Sequence, residues 1–226
     1  DSGLEFIIHF TPNRRVYGFG VQQRFGNFRY PTTYLKLKWG TAGFLGGQLD
    51  YRQLQFLQHY PIRLSKFGIL DATLEVGKSF DRVPLPLLFP VPANQTYSLE
   101  ENTFALLNYY DYVTDQYINA HLEHHFNGFV MNRIPYLKKL NLRFLVTFRI
   151  AFGSLGPGYK DYLVTNLRLQ SPEKKPYYEY SLGIENLGFG QIRFFRLDFI
   201  WRGPHHTYNG SQSPKFGVRL AVSPTF

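Results

Sequence analysis

Apolar and polar residues alternate along most of this chain, and the alternation restricts its possible folds more than any other feature of the sequence. Side chains two residues apart share a face of a β-strand, so a period of two gives each strand one apolar and one polar face. Residues 142–150 are the clearest case, with an apolar face formed by Leu142, Phe144, Val146, Phe148 and Ile150. The opposite face carries Arg143, Thr147 and Arg149. The sequence therefore predicts strands that separate two different environments.

The alternation recurs in about ten or eleven segments, which are separated by clusters of Gly, Pro, Asn and Asp. The predicted strands are residues 3–11, 15–25, 31–40, 47–59, 68–79, 104–114, 116–126, 140–152, 176–186, 193–202 and 215–226. In the fourth segment the phase of the alternation shifts at Gln53, which predicts a β-bulge there. Regular amphipathic strands of this kind predict an all-β fold, a transmembrane antiparallel β-barrel.

A membrane crossing by helices is excluded at the level of sequence, because no run of about eighteen apolar residues is present. The longest apolar stretch, Val83–Ala93, contains four prolines. A bilayer accepts only helices and closed barrels, since backbone polar groups find no water there. If the chain crosses a membrane, it does so as a barrel. The 17 Tyr and 22 Phe residues suit the aromatic girdles of such a barrel.

Two connections between predicted strands are long, Asp81–Thr103 and Gly153–Lys175. Long loops of these barrels lie on the outer side of the membrane and short turns on the periplasmic side, so both are placed outside. The last predicted strand ends on Phe226. An amphipathic terminal strand that closes on an aromatic residue resembles the C-terminal signal by which the barrel-assembly machinery recognises outer-membrane proteins.

The polar face of the segment 116–126 includes His121, Glu123 and His125 at a spacing of two. Alternate histidines on one strand could bind a zinc ion together with a ligand from a neighbouring strand. The alternative is that these side chains line a polar interior and hydrogen-bond across it. We expect the second arrangement, and therefore neither a metal nor another cofactor.

Charged residues of both signs lie on the predicted inner faces, and the candidates are His121, Glu123, His125, Arg143, Arg149, Arg196, Asp198 and Arg219. Such a mixture either stabilises the barrel wall by cross-strand ion pairs or sets the electric field inside a channel. We expect the structural role. The net charge of +9 does not indicate nucleic-acid binding, because the charges alternate with apolar residues instead of forming one basic face. No Gly-x-Ser-x-Gly motif is present, and we expect no enzymatic activity.

Several longer stretches carry a family resemblance. They are HFTPNRR (His9–Arg15), GFLGGQLDYRQL (Gly43–Leu54), LEVGKSFDRVPLPLL (Leu74–Leu88), NYYDYVTDQY (Asn108–Tyr117), LEHHFNGFVMNRIPYLKKL (Leu122–Leu140) and IENLGFGQIRFFRLDFIW (Ile184–Trp201). These stretches resemble an uncharacterised family of outer-membrane β-barrels whose long members carry an N-terminal carboxypeptidase-regulatory-like domain. More loosely, the last two predicted strands resemble the end of the BamA/TamA-like insertase superfamily.

The resemblance implies that residues 1–226 form one domain, the C-terminal part of a barrel with more strands in the intact protein. It implies the Gram-negative outer membrane, where the wall contacts lipid or lipopolysaccharide. The implied function is a non-enzymatic subunit or accessory of an envelope assembly that inserts, exports or scaffolds proteins. Its partners would be the barrel-assembly machinery during biogenesis and other outer-membrane proteins afterwards. Two alternatives stay open: a passive pore for small solutes, sensitive to Arg143 or Glu123, and a barrel enzyme that needs His121 or His125.

Overall fold

The computed structural model describes residues 2–22, 24–25, 30–159, 170–189, 192–203 and 214–222. The strands of this part, in chain order, are β1 (Gly3–Phe10), β2 (Val16–Tyr17), β3 (Arg24–Phe25), β4 (Thr32–Gly40), β5 (Tyr51–Arg63), β6 (Ile69–Ser79), β7 (Phe89–Pro90), β8 (Val113–Thr114), β9 (Gln116–His125), β10 (Arg143–Ser154), β11 (Tyr177–Phe189), β12 (Ile192–Arg202) and β13 (Phe216–Val222). The one α-helix of this part is α1 (Pro135–Leu140). Short 3-10 helices are Gly20–Gln22, Phe44–Gly46, Ser65–Phe67, Leu85–Leu87 and Met131–Arg133. None of the helices described is long and apolar enough to cross a bilayer.

Nine of these strands form one antiparallel sheet in the order β1-β4-β5-β6-β9-β10-β11-β12-β13. Each strand of the sheet pairs with the next one along the chain, because the strands left out form only the two-residue ladders β2–β3 and β7–β8. The predicted all-β antiparallel class is confirmed. Within the described residues the sheet is open, with β1 and β13 at its two edges.

The two edges of the sheet differ. All eight residues of β1 are exposed, and its outer edge carries no paired strand among the described residues. The edge of β13 is covered in part by a second piece of chain. Leu99 donates its backbone N–H to the carbonyl of Leu220 at 2.8 Å, and Leu220 donates to the carbonyl of Tyr97 at 3.2 Å. These two bonds form a short parallel bridge that satisfies part of an otherwise open edge.

The sheet has an apolar face that is exposed and a polar face that is covered. Phe148 on β10 and Leu182 on β11 point to the first face, where 38% and 43% of their surfaces are exposed. Glu179 and Asp198 point to the other face, where both are fully buried. We call these the outer and the inner face. A protein that folds in water buries apolar side chains and exposes charges, so this sheet has the reverse arrangement.

Residues 80–115, between β6 and β9, lie across the inner face, and we call them the insert. Gln53 of β5 donates to the carbonyl of Leu87 at 2.6 Å, and at the far side Arg219 of β13 donates to the carbonyl of Ala105 at 2.7 Å. The connection Asp81–Thr103 therefore packs on the sheet and does not extend into solvent, while its predicted side of the membrane stays a prediction. The reason is that its apolar residues find a dry environment against the sheet, where Val83 and Phe104 are fully buried.

The long connection 153–175 is described only in part, since residues 160–169 lie outside the described residues. Its first part also turns inward. Tyr159 is buried in an apolar cluster with Tyr51, Val83, Leu88 and Val113, and its hydroxyl accepts the backbone N–H of Val83 at 3.2 Å. This part of the connection packs on the insert instead of extending into solvent.

The structure confirms nine of the predicted strands as members of the sheet, with ends that differ by a few residues. The prediction for residues 104–114 is wrong, because Phe104–Leu107 pack as an apolar core of the insert and only Val113–Thr114 enter a ladder. The prediction for residues 15–25 is also wrong. There the backbone has positive φ at Gly18 and Gly20, 94° and 56°, which interrupts an extended strand.

The predicted bulge at Gln53 is wrong as well. β5 begins at Tyr51 and pairs without a shift on both sides, so Tyr51 and Gln53 lie together on the inner face and Leu49 precedes the strand. The register shifts instead in β11, where Ile184 faces Leu197 but Leu187 faces Phe195. Asn186 takes up the extra residue with φ of 62°, a conformation that asparagine tolerates better than most residues.

Candidate functional site

An ionic cluster occupies the inner face at the ends of the strands farthest from the insert. Its members come from four strands and are Asp71 of β6, Glu123 and His125 of β9, Glu185 of β11, and Arg196 and Asp198 of β12. Because side chains two residues apart share a face, each of β9 and β12 supplies a pair to the same cluster. We call this group the ionic cluster.

Arg196 lies at the centre of the ionic cluster and binds two carboxylates. Its guanidinium donates to both carboxylate oxygens of Glu123, at 2.6 and 2.8 Å, and to both of Asp198, at 2.6 and 2.9 Å. Arg196 is 5% exposed and Asp198 is fully buried. Bidentate contacts of this kind match the planar fork of a guanidinium and fix its orientation.

His125 connects three acids of the ionic cluster. Its Nε2 lies 2.9 Å from Glu123 and 3.5 Å from Asp71, and its Nδ1 lies 3.0 Å from Glu185. A protonated imidazole donates from both nitrogens, so only that form satisfies carboxylates on both sides. Four carboxylates thus surround two cationic groups in this buried network.

The contacts of the ionic cluster reach across several strands. Glu123 and Arg196 are separated by β10 and β11, and the register places Arg196 four residues along β12 from the row of Glu123. Three strand spacings of about 4.8 Å alone make about 14 Å, so in a flat sheet their backbones would lie farther apart than that. Their side chains nevertheless meet at 2.6 Å. His125 and Glu185 likewise meet across β10. Contacts across three strand spacings indicate that the sheet curves toward its inner face.

A second polar group holds the insert on the sheet. The carboxylate of Glu179 accepts the backbone N–H groups of Ala105 and Leu106 at 2.9 and 2.8 Å, and the hydroxyl of Tyr177 at 2.6 Å. The aromatic rings of Tyr177 and His121 both pack on Phe104 of the insert, with centroids 5.4 and 5.1 Å from its ring. Glu179 thus anchors the apolar insert to the polar inner face of the sheet.

One acid of the insert is itself buried. Asp111 is 4% exposed, and its carboxylate accepts the backbone N–H of Asn108 at 2.9 Å. Burial raises the pKa of Asp111, while the contacts with Asn108 and the charge of Arg202 oppose that shift. The acid therefore holds its proton to higher pH than an exposed aspartate.

The structure distributes the candidate residues over three places. Glu123, His125, Arg196 and Asp198 meet in the ionic cluster. His121, Arg149 and Arg219 lie nearer the insert, and Arg143 lies half-buried at the start of β10, opposite Glu185. All eight side chains lie on the inner face. Phe226 lies outside the described residues.

Besides Glu185, the candidate list lacks two residues with central contacts, Asp71 and Glu179. Both lie on the polar faces of predicted strands, so the alternation carried the signal that they point inward. Their partners, His125 and the backbone of Ala105, lie 54 and 74 residues away in the sequence. The local alternation of apolar and polar residues holds no information on contacts between residues so far apart in the sequence.

The geometry does not assemble the zinc site considered for His121, Glu123 and His125. Glu123 binds Arg196 and His125 binds carboxylates, whereas His121 packs on Phe104. Within the described ranges no three His, Asp or Glu side chains are grouped in a way that could hold a metal ion.

One cavity of the described part lies away from the ionic cluster. It is a groove of about 410 Å³ at the ends of β6, β9 and β10, and it has outer-face walls at Val76, Ile118 and Phe152. Lys78 and Glu173 line its polar end. Since its walls belong to the exposed apolar face, it does not give access to the ionic cluster.

Comparison with known proteins gives one match. A protein family described as a family of unknown function (DUF5686), C-terminal domain, matches residues 4–184. No curated protein matches the sequence.

Proposed function

Since the chain belongs to the DUF5686 C-terminal domain family, whose function is unknown, we propose a function from its own residues. The chain forms the wall of an outer-membrane β-barrel with a filled interior. It is a non-enzymatic subunit or accessory of an envelope assembly that inserts, exports or scaffolds proteins. Strands outside the nine described here, or a contact between β1 and β13, would close the barrel.

The reversed polarity of the two faces carries this proposal. Exposed apolar side chains continue along the outer face of adjacent strands, including Val218 and Leu220 of β13, 42% and 48% exposed. Transfer of one such side chain from water to an apolar phase is favourable by about 1.5–3 kcal/mol. A continuous face of this kind on antiparallel strands suits contact with lipid, and curvature toward the polar face suits a barrel.

The filled inner face favours an assembly or scaffold role over a passive pore. The insert covers the inner face between Gln53 and Arg219, and the ionic cluster joins β6, β9, β11 and β12 beyond it. Breaking a buried ion pair costs about 3–5 kcal/mol, so thermal motion does not open this network often. A solute would have to pass both obstacles.

The pore stays as the alternative because one strip of the inner face is uncovered. Lys36 and Lys38 of β4 flank Glu5 of β1 at 3.2 and 3.3 Å, and their side chains remain about one third exposed, 32% and 33%. These charges would line a water-filled passage in a larger barrel. The enzyme reading gains less support, since both ring nitrogens of His125 face carboxylates and His121 is buried against Phe104 of the insert.

Two measurements on the purified native protein test the proposal. Extraction in mild detergent followed by mass spectrometry should recover stoichiometric outer-membrane partners. In planar bilayers the same preparation should show no steady conductance. A protein that purifies alone and conducts in discrete steps would overturn the assembly role and establish the pore.

A further inference from the structure

Three buried polar side chains lie between the sheet and the insert, and two of them have no hydrogen-bond partner. Asn119 is fully buried, and His121 and Arg149 are 6% and 4% exposed. Neither amide atom of Asn119 nor either ring nitrogen of His121 has a hydrogen-bond partner. Arg149 lies directly opposite Glu179 of β11, and its charge interacts with that carboxylate. Each unsatisfied buried group costs about 1–3 kcal/mol, so the fold needs something that satisfies them.

The three side chains are neighbours on the inner face. Asn119 and His121 are two residues apart on β9, and Arg149 of β10 lies directly opposite His121. Diagonal neighbours on one face of a sheet are within reach of long side chains, so the guanidinium can approach the amide of Asn119. Ala151, opposite Asn119, adds only a methyl group to the inner face beside it.

The carboxylates nearest to these side chains already accept other donors. Glu179 accepts two backbone N–H groups and the hydroxyl of Tyr177. Glu75, opposite Asn119 on β6, accepts the hydroxyl of Tyr117 at 2.6 Å. The cover on the insert side is apolar, with Phe104 over His121.

The three side chains offer many more donors than acceptors. An arginine has only donors, an asparagine amide has two donors beside its carbonyl, and a neutral imidazole has one of each. Donors therefore outnumber acceptors by about four to one. A water molecule brings donors and acceptors in equal number, whereas an anion brings acceptors alone.

We propose that Asn119, His121 and Arg149 form an internal site for one small monovalent anion, of the size of chloride or formate, enclosed between the sheet and the insert. The anion accepts from the guanidinium, the amide and the imidazole. Because the insert covers the site, the anion stabilises the docked insert. The site is independent of the membrane location proposed above.

The substitution Asn119→Asp tests the proposal through the sign of its effect. The new carboxylate supplies the missing anion within the chain, so N119D should keep or raise the thermal midpoint and should lose its dependence on added anions. Asn94→Asp is the matched control, because its amide nitrogen already donates to the carbonyl of Ser98 at 2.6 Å. We expect N94D to lower the midpoint and to retain the anion dependence.

The wild-type protein provides a second, independent measurement. Its thermal midpoint should rise saturably when chloride or formate replaces gluconate at constant ionic strength. At a concentration one hundred times the Kd, the folded-to-unfolded ratio should increase about a hundredfold. Crystals soaked in bromide should show an anomalous peak beside Arg149. A wild-type midpoint insensitive to chloride and formate, a bromide-free site filled by water, or a destabilised N119D would overturn the proposal.

Discussion

Replacement of Glu179 by glutamine removes the carboxylate that holds the insert. In Glu179→Gln one oxygen becomes an NH2 group, which faces the backbone N–H of Ala105 or Leu106 instead of accepting it. One buried backbone donor is then unsatisfied, at a cost of about 1–3 kcal/mol, and the remaining bonds lose their charge assistance. Since the site is fully buried, water cannot compensate. We expect the free energy of unfolding to fall by roughly 2–4 kcal/mol.

Urea unfolding in detergent, followed by tryptophan fluorescence, measures this change. Limited proteolysis measures the insert directly, and E179Q should be cleaved within residues 80–115 faster than the wild type. The control is Glu173→Gln, at an exposed position, which should stay within about 0.5 kcal/mol of the wild type. If E179Q is as stable as E173Q and its insert is cleaved no faster, Glu179 does not anchor the insert.

Three further substitutions test the network, the edge and the buried acid. Arg196→Met should lower the free energy of unfolding by about 3–5 kcal/mol, because Glu123 and Asp198 lose their cation. The control is R63M, at an exposed site. An equal effect of the two substitutions would contradict the role of the ionic cluster. Leu99→Pro removes the backbone N–H that binds β13 and leaves more of that sheet edge unpaired. Light scattering should therefore detect more self-association of L99P than of the control L99A, which keeps the N–H. Equal self-association of the two variants would show that residue 99 does not protect the edge of β13. Burial raises the pKa of Asp111 in the folded protein, so the free energy of unfolding of the wild type should fall as pH rises from about 4 toward that pKa. Urea titrations at several pH values should show this slope for the wild type and not for D111N. An unchanged slope in D111N would contradict the raised pKa of Asp111.

Much of the sheet can be predicted from the sequence because the alternation is a local property. The alternation within each strand shows which residues share a face. It identifies the polar faces of β9 and β12, which carry Glu123, His125, Arg196 and Asp198. The contact between Glu123 and Arg196 could not be predicted, because it depends on the register of three strand pairs and on curvature. A register displaced by one residue would turn those side chains to the other face.

The insert could not be predicted for a different reason. Phe104–Leu107 form a short apolar run, and such a run has the same pattern in a buried strand as in a buried irregular segment. What distinguishes the two is the acceptor that their backbone finds, and that acceptor is the side chain of Glu179. The position of the bulge could not be predicted from the local pattern either. The shift of the alternation at Gln53 reflects the start of β5, whereas the bulge at Asn186 leaves the alternation before it intact.

The orientation of the two faces in a bilayer tests the account most directly. The chain contains no cysteine, so single spin labels at K36C, on the inner face, and at L37C, on the outer face, require no other change. In the full protein reconstituted into vesicles, the L37C label should collide with dissolved oxygen and be protected from a water-soluble nickel chelate. The K36C label should show the reverse. Equal access of both labels to the nickel chelate would place both faces in water and contradict a membrane wall.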